Sequence, residues 1–360
     1  MITKSKKLTA ASPFVIGLIV AFAASAEPVI HLKSIRENFV VGILSPNIAP
    51  VLHIKSGQAV EIDTVAHDGF KDDPVEFFAT AGIPAREVLP DAIALGKLPA
   101  KDYTHGHVLT GPIYIDSAEP GDMLEVRILK VTPRVPYGAN AARNGVTMPG
   151  LTPGATPGLS TDYKIIKFDP AKKTVHFAPG VNFPMRPFMG VMSVAPTTTI
   201  SSRAPGLYGG NMDFEKLQAG STLYLPVLVK GALFVTGDSH AGQGDGEVNG
   251  TAIEASMTPT LQFILHKGAG KAMTAPWAED SSNYYILGMD PDLNKALAVS
   301  IKNTVKFLGD RYGLSAQDAY SLCSTGIDFG IAEAVDLNLV VYGKVPKSYF
   351  KKKFAYWAHS

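Results

Sequence analysis

Along most of this chain, apolar and polar residues alternate in runs too short for a helix, and Gly or Pro closes nearly every run. Gln58 to Val65 sets Val60, Ile62 and Thr64 against Glu61 and Asp63, the two-residue period of a half-buried strand. Gly121 to Val131 repeats the pattern, with Leu124, Val126 and Ile128 inward and Glu125 and Arg127 outward. Tyr163 to Val181 reads as a hairpin around Asp169-Pro170-Ala171-Lys172, with Arg186 to Ala195 and Leu223 to Val229 as further strands. Ala232 to Val235 is apolar throughout and predicts a buried strand. The period changes beyond Asp290. Leu293, Leu297, Ile301, Val305 and Leu308 recur at helical spacing behind an Asp290-Pro291 start, and Ser315 with Asp318 forms a capping box for a second helix that Gly326 ends. Leu337 to Tyr342 returns as a strand. The pattern predicts a mainly β fold over residues 27–280 and an α+β C-terminal part with two helices over 281–360, packed on that body.

Two intervals break the pattern. Asp72 to Ala100 mixes Pro, acidic and apolar residues with no sustained helical period beyond a turn at Ala85 to Leu89. Pro133 to Thr161 is rich in Gly and Pro and predicts a long loop without regular structure, suited to a lid or an oligomer contact. The N-terminus follows another logic. Lys4, Lys6 and Lys7 precede the apolar run Pro13 to Ala23 and the small-residue site Ala24-Ser25-Ala26, the layout of a signal peptide cleaved after residue 26. That run is too short to span a bilayer, so the expected location is periplasmic or secreted, with no membrane attachment after cleavage.

Composition narrows the partners. Hydrophobic residues at 46% and charged residues at 18% suit a globular chain, and a net charge of +1 gives no footing for nucleic acid. Losing the three leader lysines takes it to −2. The one cysteine, Cys323, excludes an internal disulfide and a CxxC metal site, and its place within the second helix reads as a small buried hydrophobe. Oligomerisation, including a homo-oligomer, is left open.

The chemistry concentrates between Gly231 and Glu254. Asp238, His240, Asp245 and Glu247 fall within ten residues, interrupted by Gly237, Gly242, Gly244 and Gly246, immediately after the buried run. Carboxylates and an imidazole this close repel or hydrate one another unless a cation gathers them, and a divalent ion accepts both donor types. A solvated acidic turn is the alternative reading. Asp63, His67 and Asp68 at the end of the Gln58 strand and the pair His105 and His107 are further ligand candidates. Asn211, in a tight polar turn, either binds substrate or holds that turn.

Several longer stretches resemble one known family. They are the glycine-laced segment itself, Arg186-Pro187-Phe188-Met189-Gly190-Val191, Gly209-Gly210-Asn211-Met212-Asp213, and Gly220-Ser221-Thr222-Leu223-Tyr224-Leu225-Pro226-Val227. With them go His107-Val108-Leu109-Thr110-Gly111-Pro112, Ala118-Glu119-Pro120-Gly121-Asp122 and Pro346-Lys347-Ser348-Tyr349-Phe350. In these motifs the chain resembles the acetamidase/formamidase family over almost all of its length after the leader. The resemblance implies a strand-rich body, sandwich or barrel-like, and hydrolysis of small linear amides at a metal-dependent site. The Gly/Pro-rich interval departs from the family's usual pattern.

Amide hydrolysis needs a nucleophile, a stabilised oxyanion and a proton for the leaving amine. No G-x-S-x-G elbow is present and Cys323 has no flanking His, which leaves activated water. The expected ligands come from Asp238, His240, Asp63, His107 and Glu247, with Glu247 (as base or bridging ligand) or Asp245 as the proton carrier and Asn211 on the substrate. Zinc suits this set first and calcium second. The competing reading is a secreted, metal-binding, β-rich ligand-binding protein without catalysis.

Overall fold

The computed structural model describes residues 29–66, 73–97, 106–143 and 161–359. The expected leader, His67, Asp68, His105 and residues 144–160 of the Gly/Pro-rich interval lie outside the described residues.

Two sheets share the main core. A nine-stranded sheet runs Ile30–Leu32, Ala59–Ile62, Met257–His266, Met123–Pro133, Thr222–Pro226, Trp277–Glu279, Asn283–Asp290, Leu339–Pro346 and Asp328–Glu333 in spatial order. A second sheet runs Gly209–Asn211, Phe188–Ser193, Phe234–His240, Val108–Ile115 and Phe39–Val41, with Leu52–Ile54 also pairing to Val108–Ile115. Their inner faces interleave: Phe234 of the second sheet meets Phe263 of the first edge-to-face at 4.9 Å. Each sheet keeps two ends among the described residues, so the body is layered and mainly β, with no closed barrel.

The alternating segments form the strands expected of them. In Met123–Pro133, Leu124, Val126 and Ile128 are fully buried. The strands Asn283–Asp290 and Leu339–Pro346 extend the nine-stranded sheet, and the helix Leu293–Tyr312 covers them.

Three local expectations give way. Tyr137–Arg143 is a strand paired to Thr161–Asp169, so the Gly/Pro-rich interval opens with regular structure. Asp72 to Ala100 holds two short helices, Pro74–Ala79 and Pro90–Gly96, each started by a proline whose missing N–H costs nothing there. The long helix is capped by Asp292, not Asp290, with the Asp292 side chain accepting from Lys295 N. Its buried face is Ala296, Ser300, Thr304 and Leu308, while Leu297 is exposed. Small residues win because the helix lies against Gly288, where an added Cβ would stand 2.2 Å from Ser300 N. The second helix, Ala316–Thr325, has the expected Ser315 cap, and Cys323 is buried with its thiol pKa raised by burial. Among the described residues no helix is long and apolar enough to cross a membrane.

Candidate metal centre

Phe234–His240 is a central strand of the second sheet, buried at every residue, between Phe188–Ser193 and Val108–Ile115. Its pairing with Phe188–Ser193 passes from Met189↔Ser239 to Val191↔Gly237, leaving Gly190 and Asp238 facing each other. Gly190 has to be glycine here. A Cβ would stand 2.3 Å from Asp213 Oδ1 and 2.7 Å from Asp238 Oδ2, so the missing side chain makes room for two carboxylates. Beyond His240 the chain swings through Gly242 and Gly244 and returns, with Ala241 N donating to Ile253 O and Ala255 N to Ser239 O, both at 2.8 Å. The return sets Glu254 directly opposite His240.

Asp213 follows the short strand Gly209–Asn211, and Glu247 comes from the glycine-laced loop. Asp213, Asp238 and Glu247 have φ of 41°, 51° and 45°, in the left-handed region that non-glycine residues avoid. Such strain persists only where the surroundings impose it, and it gathers at functional sites. Here it falls on three carboxylates that converge.

At the centre, His240 Nε2 lies 3.2 Å from Glu254 Oε2 and 3.5 Å from Asp238 Oδ2, and Nδ1 lies 4.0 Å from Asp213 Oδ1. Within each of two trios, Asp238–His240–Glu254 and Asp213–His240–Glu247, the ligating atoms fall within 4.8 Å of one another, and every member is buried. His107 stands at the edge, with Nε2 3.8 Å from Asp238 Oδ2 and Nδ1 3.2 Å from Ser202 Oγ. Asn211 Nδ2 donates to Asp336 Oδ2 at 2.5 Å, and Glu333 Oε2 accepts from the backbone N–H groups of Val335 and Asp336.

Burial and mutual repulsion set the electrostatics. Burial, then Glu247 and Asp238, hold the Asp213 carboxyl well above its ordinary range. Burial, then Glu254 and Asp336, do the same to Glu247. Burial pushes Glu333 up to about 8 and Asp336 to about 6. Burial alone would lower His240, but Glu254 and Asp238 outweigh it and raise the imidazole well above its usual value. These are the responses of negative groups held together against their charge. The donors also fit a cation: Asp213 Oδ1 and His240 Nε2 are buried, make no hydrogen bond among the described residues, and belong to types that zinc and its neighbours accept.

The sequence model of the acetamidase/formamidase family matches residues 97–206 and 197–352. The chain belongs to this family. It is 27% identical to an acetamidase of Mycolicibacterium smegmatis over 199 residues, covering 40% of this chain and 49% of the relative. It is 27% identical to a formamidase of Methylophilus methylotrophus over 205 residues, 41% and 48% of the two chains. The chain thus spans about half the length of the curated relatives it matches. Among solved structures it is similar to an acetamidase of Bacillus halodurans, with TM-score 0.73, 26% identity and coverage of 89% and 99% of the two chains. A Yersinia enterocolitica acetamidase gives TM-score 0.75, 28% identity and coverage of 92% and 95%.

In this acetamidase/formamidase family member, Asp238, His240 and Glu247 come together, with His107 alongside. Two expected residues sit elsewhere. Asp63 bonds His31 at 2.9 Å and Thr258 at 2.6 Å, with Arg134 3.9 Å away, and joins neither trio. Asp245 is exposed, held by Lys216 at 3.3 Å and by the Tyr342 hydroxyl at 2.6 Å. Asn211 is adjacent to the cluster and bonded to Asp336. Asp213 and Glu254, which the sequence pattern does not single out, complete the two trios. Their signals were present: Asp213 closes the Gly209-Gly210-Asn211-Met212-Asp213 motif, and Glu254 is an acid flanked by Ala252, Ile253 and Ala255.

Proposed function

We propose that this chain hydrolyses small linear amides of the formamide and acetamide kind, using water activated at a divalent ion, zinc first, held by His240 with Asp238 and Glu254. One observation carries the reading. In a family of amidases, a buried imidazole nitrogen that makes no hydrogen bond among the described residues faces two carboxylates in a centre whose charge calls for a cation. Such an ion, when bound, acidifies a water and polarises an amide carbonyl. The chain's own residues do the rest. The ring of carboxylates fixes the position of the reacting groups, and burial excludes bulk water. Glu247, as the carboxylate, takes a proton from the attacking water and, as the acid so formed, passes it to the departing nitrogen as the C–N bond breaks. Water's oxygen ends in the carboxylic acid and the nitrogen leaves as ammonia. Asn211 Oδ1, a buried acceptor with no hydrogen bond among the described residues, suits an amide N–H.

The leader at residues 1–26 supports export, so this chemistry belongs to the periplasm or the exterior. The test is ammonia release from formamide and acetamide by purified protein, before and after chelation and after zinc is returned. Activity lost and restored in step with zinc supports the reading; undiminished turnover without metal overturns it. The trios are richer in carboxylate than imidazole, which also suits calcium in a non-catalytic binding protein. That reading predicts bound calcium and no ammonia.

A further inference from the structure

His240 has two ring nitrogens and two sets of acidic neighbours, and a third residue decides between them. Gln243, three residues on and almost fully buried, points its side chain back at the imidazole. Its Nε2 donates to Asp213 O at 2.7 Å and to Ala332 O at 3.2 Å. Those two partners are carbonyl oxygens, which only accept, so the amide cannot be turned round without setting oxygen against oxygen. Its Oε1 is therefore fixed facing His240 Nδ1, 3.1 Å away. An amide oxygen cannot donate, so Nδ1 must carry a proton.

We infer that Gln243 is a positioning residue that locks His240 with Nδ1 protonated, so that a metal ion is bound through Nε2, on the Asp238 and Glu254 side. This inference rests on the metal-centred reading above and deepens it by choosing between the two trios. The nitrogen near Asp213, at 4.0 Å, is committed to Gln243. The nitrogen left to offer is 3.5 Å from Asp238 Oδ2 and 3.2 Å from Glu254 Oε2. A histidine that binds metal through one nitrogen commonly donates from the other to a fixed acceptor, which sets the ring's orientation. The same amide also grips the carbonyl of Asp213, whose left-handed backbone needs an outside restraint. Arg186 Nη2 donates to the Gln243 carbonyl at 2.9 Å, holding the backbone from which the side chain reaches.

The test is metal affinity and ring tautomer, neither of which requires turnover. Zinc affinity is measured by chelator competition in the wild type and in Gln243→Leu, with circular dichroism as the folding control. The expected loss is about 10- to 100-fold in affinity. In parallel, wild-type protein with nitrogen-15 histidine is loaded with cadmium-113, and His240 is assigned by comparison with His240→Gln. The expected spectrum shows metal coupling at Nε2 and a proton on Nδ1. Coupling at Nδ1, or a folded Gln243→Leu with wild-type zinc affinity, overturns the inference and leaves the amidase reading standing. A wild type that binds neither ion overturns both. If Gln243→Leu does not fold, the wild-type spectrum alone decides.

Discussion

Glu254 Oε2 stands 3.2 Å from His240 Nε2 across an antiparallel bridge that joins the end of a buried strand to the far side of the glycine-laced loop. Thirteen residues of chain lie between the two in sequence, and the loop they form brings the pair back together. Asp238 approaches the same nitrogen from the strand itself. The site is thus built from one strand, its return and the turn that carries Asp213.

Removing Glu254 or Asp238 should therefore remove the ion. Glu254→Gln and Asp238→Asn preserve shape and lose charge, and each should lower zinc affinity and amide turnover together. Inductively coupled plasma mass spectrometry alongside ammonia release checks this. Full metal content with lost activity would move that carboxylate from ligand to acid or base.

Glu247 should behave differently. Glu247→Gln should keep its metal while kcat falls roughly 10²- to 10⁴-fold, the usual effect of a general acid–base group. Metal loss in this variant would place Glu247 among the ligands.

Asp245 serves as the contrast. Its exposed carboxylate pairs with Lys216 and accepts from the buried Tyr342 hydroxyl, so Asp245→Asn, which keeps an acceptor for that hydroxyl, should change stability by no more than about 1 kcal/mol and leave kcat/KM near the wild-type value. A loss as deep as that of Glu247→Gln would show that the surface pair conceals a catalytic role.

Gly190→Ala tests the geometry without touching a donor. The added methyl would press on Asp213 Oδ1 and Asp238 Oδ2, so the carboxylates or the strand must move. The expected outcome is weaker zinc binding together with destabilisation of about 1–3 kcal/mol, as for other overpacked sites. Chelator competition and denaturant unfolding read the two effects, and unchanged zinc affinity would show that the two carboxylates need not share that space.

The metal-free protein should lose stability as pH rises. Burial, then Asp336, hold Glu333 at about 8 against an ordinary value of 4.5, so the folded state binds more protons than the unfolded state across that window. Glu333 contributes fully below 4.5, and that stability is lost as pH climbs through about 8. Thermal unfolding of chelated protein from about pH 5 to about pH 8 should show a falling midpoint, with a shallower fall in Glu333→Gln. A midpoint that rises over this range contradicts the assignment.

Local periodicity made much of this legible. Alternation in Gln58 to Val65 and Gly121 to Val131 predicts strands because one face of each must be buried, and the sheets are built from them. The long helix was legible in type but not in face, since its apolar residues mark 3.6-residue spacing while close approach to Gly288 selects Ala296 and Ser300 as the contact. At the site, Asp238 and His240 were readable because they end a buried run. Glu254 and Asp213 were not, because nothing local to either residue encodes the return of a loop or the facing of two strands. Asp63 and Asp245 lie outside the two trios for the converse reason: an acid near a strand end has the same local signature whether it faces other carboxylates, Arg134 or Lys216.

The most direct test of the central claim is anomalous diffraction at the zinc edge from crystals of zinc-loaded protein. One strong peak is expected within coordination distance of His240 Nε2, Asp238 and Glu254. A peak elsewhere, or none in crystals of protein that still releases ammonia from amides, would contradict it.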